Sequence, residues 1–201
     1  MKTFQASIFG AAALAIAFTA QAQDYRAQAI SMMKRDFHAK GIAHMDRLNE
    51  DALQLICNRS HNEPPKGIAE TLQHDQLATI QYPADGKFLG DWKAGEKLAQ
   101  NGRGMTWKDG GKPSGGSCYN CHQIGPATTS FGDIGNSLLH FGKIRGYGPD
   151  VQKYVYGKIY NAKAYNLCSK MPRFGHSGTL TEKQIKDLVA LLLDPNSPVN
   201  K

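Results

Sequence analysis

The stretch Cys118-Tyr119-Asn120-Cys121-His122 constrains this chain more than any other. It reads C-x-x-C-H, the signature for covalent attachment of a c-type haem. The chemistry demands that spacing. Two thiols must reach the two vinyl groups of one porphyrin and form thioethers, and the next residue, His122, is then held beneath the iron as its proximal ligand. A bare C-x-x-C says less, because it also fits a thiol redox pair or half of a zinc site. The added histidine, in a chain that opens on an export pattern, selects the haem reading over a redox pair.

Residues 1–22 read as a signal peptide. Lys2 gives the positive start, Ile8 to Ala20 the apolar run, and Ala20-Gln21-Ala22 the small-x-small cleavage site, so that Gln23 is the expected first mature residue. The apolar run is too short for a standard membrane span. No cysteine follows the cleavage point, so neither a lipid anchor nor any other membrane anchor is expected. The expected location is the periplasm, an oxidising compartment and the place where bacteria attach haem to C-x-x-C-H. The 201 residues suffice for one domain with a sizeable core and an added segment. A formal net charge of +7 suits anionic substrates or an acidic protein partner, and equally a basic surface that serves solubility. No long Lys/Arg run or recognition motif points to nucleic acid.

Four cysteines divide two and two. Cys118 and Cys121 are taken by haem, leaving Cys57 and Cys168. In an oxidising compartment such a leftover pair suggests a disulfide, which would tie the N-terminal segment to the loop before Met171. The alternative is two unpaired buried thiols.

The periodicity is helical throughout, giving an all-α fold class: an N-terminal helical extension over 23–88, then a domain over 89–201. Helices are expected from Tyr25 to Lys40, from a start near Asp46 or Asn49 through Ile56, and around Ile68, Leu72 and Leu77 after the Pro64-Pro65 breaker. Met32 and Met33 lie at helical spacing and read as core residues, not haem ligands. Trp92 to Asn101 forms a short helix whose Gly95 permits a close helix crossing, and a glycine-rich loop follows. Pro149 opens another helix. Thr181 and Gln184 form a capping box for the last helix, which Pro195 stops.

Haem function turns on the second axial position. The candidates are His140, Met171 and His176. Met171 sits in a loop between the late helices and is stiffened by Pro172, the context of the ligand loop in small monohaem cytochromes c, and is preferred. A surface or hydrogen-bonding role is expected for both histidines. His122 needs a backbone carbonyl to orient its ring. Gly135-Asn136-Ser137-Leu138 and Gly125-Pro126 are both candidates for supplying it.

Several stretches together resemble one family. They are Tyr82-Pro83-Ala84-Asp85-Gly86-Lys87, the C-x-x-C-H motif, Tyr156-Gly157-Lys158-Ile159-Tyr160-Asn161, Met171-Pro172-Arg173-Phe174-Gly175-His176, and Leu192-Leu193-Asp194-Pro195-Asn196-Ser197-Pro198-Val199-Asn200. Across about the last 120 residues the chain resembles SoxX, the monohaem cytochrome c subunit of the SoxAX complex. The resemblance implies a small monohaem cytochrome c fold for the 89–201 domain and one covalent haem c on Cys118 and Cys121, with His122 and Met171 as axial ligands. It implies a heterodimer with SoxA that couples thiosulfate oxidatively to a cysteine of the carrier SoxYZ, an L-cysteine S-thiosulfotransferase whose sulfur chemistry lies on SoxA. This chain would take the electrons and pass them to a soluble cytochrome c. A free electron shuttle is the competing expectation; a sensor or peroxidase with an open iron is a third.

Overall fold

In the computed structural model of this protein, residues 25–110, 114–126 and 131–201 are described. The expected signal peptide, its cleavage site and Gln23 lie outside them. The fold is all-α: the described residues contain no strand, only one isolated antiparallel bridge between Lys40 and Ala43.

The chain divides into two compact units, 1–49 and 50–201. In the first, helix α1 covers described residues 25–36, followed by the 40–43 bridge and a 3-10 turn at Met45–Leu48. The core role expected for Met32 and Met33 does not hold: they are 54% and 47% exposed. Helical spacing puts apolar groups on one face but does not supply a surface to cover them.

The second unit contains α2 (Ala52–Arg59), α3 (Lys66–Ala78), α4 (Trp92–Gln100), α5 (Phe141–Arg145), α6 (Pro149–Tyr160) and α7 (Glu182–Leu193). Its centre is α7, where Ile185 and the whole run Asp187–Leu193 are buried. Thr181 and Gln184 close the capping box at its start. At its end, Ser197 Oγ donates to Leu191 O, and Asn200 Nδ2 donates to Leu192 O and Asp194 O, so carbonyls that the helix leaves open find partners. Helix α4 crosses α7 at Gly95. A Cβ there would lie 2.1 Å from the Asp187 carbonyl oxygen, so only glycine allows this approach. Asp187, 4% exposed, accepts from Asp91 N and pairs with Lys183 Nζ at 2.7 Å. Helix α6 adds Val155, Tyr156 and Ile159 to the same core.

Helices α2 and α3 belong to this unit, and two features bind them to it. Leu53 and Cys57 form a second buried cluster with Leu167, flanked by Ala69 and Leu72. Fully buried Asn161 also donates to Thr79 Oγ1 (2.9 Å) and Gln76 Oε1 (3.1 Å). Helix α2 begins later than the expected start near Asp46 or Asn49, because Asp51 and Gln54 make a complete capping box.

Candidate functional site

The C-x-x-C-H stretch folds as a tight turn. Cys118–Asn120 is a 3-10 turn, and Cys121 N and His122 N both donate to Cys118 O, at 3.1 and 2.9 Å. The following chain lies back along it: Gly132 N donates to Tyr119 O, Gly135 N to Cys121 O and Leu138 N to Gln123 O. This return places the Asn136 carbonyl 2.7 Å from His122 Nδ1. Of the two regions weighed for orienting the ring, Asn136 therefore supplies the acceptor. A proton on Nδ1 donated to that carbonyl leaves Nε2 with a free lone pair, the tautomer a metal-binding imidazole needs. Gly135 completes the clasp, since a Cβ there would lie 2.2–2.7 Å from three atoms of the His122 ring.

Cys118, His122 and Met171 line one cavity of about 360 Å³, within the range of about 300–1,000 Å³ typical of small-molecule sites. Its other walls are mainly apolar, from Ile124, Leu138, Phe141, Val155, Ile159, Phe174 and α7. Two cations, Arg145 and Lys158, stand among them, and burial lowers the Lys158 pKa. Cys121 joins Cys118, His122 and Met171 in lining a larger adjoining hollow of about 930 Å³. His140 and His176 line neither. His140 has a buried Nδ1 without a hydrogen-bond partner. His176 is exposed, and burial followed by the Arg173 charge lowers its pKa.

Cys118 and Cys121 form no disulfide with each other or with another cysteine. Burial pushes the Cys118 thiol up to about 12, opposite to the depressed pKa that makes a C-x-x-C redox pair reactive. Cys57 and Cys168 are joined by a disulfide, with Cα atoms 5.6 Å apart.

No family model matches the chain. An uncharacterized lipoprotein of Aquifex aeolicus (strain VF5) is 40% identical over 157 residues, which cover 76% of this chain and 73% of the relative. The chain belongs to this lipoprotein's family.

The kinship corrects the SoxX resemblance and the vocabulary of cytochrome, thiosulfate, sulfur oxidation and transferase chemistry that came with it: the family that is shown is that of an uncharacterized lipoprotein. The motifs behind the resemblance have local structural duties in this lipoprotein-family chain. Gly175 is small because the Tyr160 ring occupies the place of a Cβ, at 2.2 Å. The Asp194–Asn200 stretch closes the end of α7. The expectation of a metal-binding protein is corrected as well. No group of three or more His, Cys, Asp or Glu suited to a metal ion exists among the described residues. A porphyrin iron makes a different demand, at most two axial atoms from the chain. No helix among the described residues is long and apolar enough to cross a membrane.

Proposed function

We propose that this protein is an exported electron carrier holding one haem through thioethers at Cys118 and Cys121. His122 and Met171 would hold its iron. The observation that carries the reading is the 2.7 Å contact between His122 Nδ1 and the Asn136 carbonyl. That contact fixes the tautomer on the wall of an apolar cavity that His122 shares with Cys118 and Met171.

When bound, the haem supplies a one-electron couple. The chain's residues determine its use. His122 and the Asn136 carbonyl fix the imidazole and raise its basicity. The Met171 thioether, a soft ligand, favours the ferrous form, while the surrounding apolar side chains exclude water. Arg145 and Lys158, both on the cavity wall, would supply positive charge to a bound group that carries carboxylates. Two exposed side chains on the cavity walls, Ile134 (79%) and Ile144 (73%), give the rim an apolar character suited to a protein partner rather than a small substrate. Export is supported by the 1–22 pattern and by the relative's designation as a lipoprotein. A compartment that tolerates the Cys57–Cys168 bridge agrees with it.

The test is a spectroscopic redox titration of protein exported with a haem-attachment system. A single reversible one-electron step is expected, shifted to lower potential in Met171→Ala and absent in Cys118→Ala/Cys121→Ala. A colourless product, or a coloured one whose spectrum ignores Met171, overturns the proposal.

A further inference from the structure

Met171 sits in a stretch without regular structure between the 3-10 turn at Ala162–Ala164 and α7. Packing holds it only in part. Met171 and Pro172 also line a hollow of about 490 Å³ whose far walls include Gln54, Asn58 and Lys163. A loop backed by empty space needs tethers, and the structure provides two, both from α2. Cys57 bonds to Cys168, three residues before Met171. Asp51, the N-cap of α2, forms an ion pair with Arg173, two residues after it. Helix α2 is itself anchored, with Leu53 and Cys57 at 3% exposure against Leu167. Within the loop, Met171 N donates to Ser169 Oγ at 3.2 Å.

We infer that α2 is a two-point clamp that holds Met171 in place, with Asp51 and Cys57 as positioning residues for the distal ligand. The inference rests on the haem reading above. It assigns a role to α2, a helix remote in sequence from the C-x-x-C-H motif. Breaking either tether frees the thioether to leave the iron and lets an added ligand replace it.

The experiment measures binding of imidazole to the ferric, haem-bearing protein. Affinity should rise about tenfold in Cys57→Ser/Cys168→Ser and about threefold in Asp51→Asn. Asp51→Glu, which keeps the charge, should stay near the parent value. Should the cysteine variant fail to fold, reduction of the native bridge by a dithiol reagent, alkylation of the freed thiols, removal of the reagent and return of the iron to the ferric state with an outer-sphere oxidant give the same comparison. Unchanged imidazole affinity with haem attached overturns the clamp, even if thermal stability falls. Absence of attached haem overturns the functional proposal, and the clamp with it.

Discussion

The two sides of the cavity are held in different ways. On the His122 side the hold is local and steric: Gly135 lies flush against the ring, Asn136 fixes its tautomer, and fourteen residues of chain close the clasp. On the Met171 side it is distant and bonded, by a disulfide that spans 111 residues and an ion pair that spans 122. A ligand fixed by close packing has little freedom to leave. A ligand fixed by tethers can be released by changing bonds remote from it. The core around α7 shares the first character, with its glycine crossing and its capped ends.

Four substitutions sharpen this contrast, from the largest expected effect to the smallest. Cys57→Ser/Cys168→Ser should lower stability by about 4 kcal/mol, as expected for a bridge that closes so long a loop, measured by urea unfolding against the parent protein. Gly95→Ala should cost about 3 kcal/mol, because the new methyl must displace α7 backbone, measured by the same unfolding. Gly135→Ala should cut the yield of haem-bearing protein by about tenfold, since the ring is forced off its carbonyl, while α7 stays folded by circular dichroism. Tyr156→Phe should cost about 1 kcal/mol at neutral pH, by removing the hydroxyl's bond to Gln81 O.

Tyr156 also makes a pH prediction. Burial, aided by the Glu182 charge, raises its phenol to about 12, against about 10 in an unfolded chain. A raised folded pKa means that the contribution is complete below pH ~10 and is lost as pH climbs towards ~12. Stability of the parent protein should therefore fall across that window, and Tyr156→Phe should flatten this part of the fall.

Much of the frame was legible because its signals are local. Thr181 with Gln184 marked the start of α7, and Pro149 the start of α6. The C-x-x-C-H spacing put two thiols and an imidazole on one turn. Signals that depend on distant partners were mostly not legible, the Cys57–Cys168 pairing being the exception. Nothing near Arg173 points to Asp51, because their meeting is decided by how α2 packs. Met32 and Met33 showed the right spacing without a surface to bury it. Asp51 and Gln54 form the capping box that starts α2, downstream of the Asp46 or Asn49 start that the apolar spacing suggests. The stretches behind the SoxX resemblance include residues set by a close ring contact and a helix end, Gly175 and Asn200, and such residues report the frame rather than a family.

The central claim is a porphyrin fixed through Cys118 and Cys121. Its most direct test is the mass of the exported protein under denaturing conditions, followed by peptide mapping. The account predicts one haem mass retained on the peptide bearing Cys118 to His122. A chain at its bare polypeptide mass, after export alongside an active haem-attachment system, would contradict it.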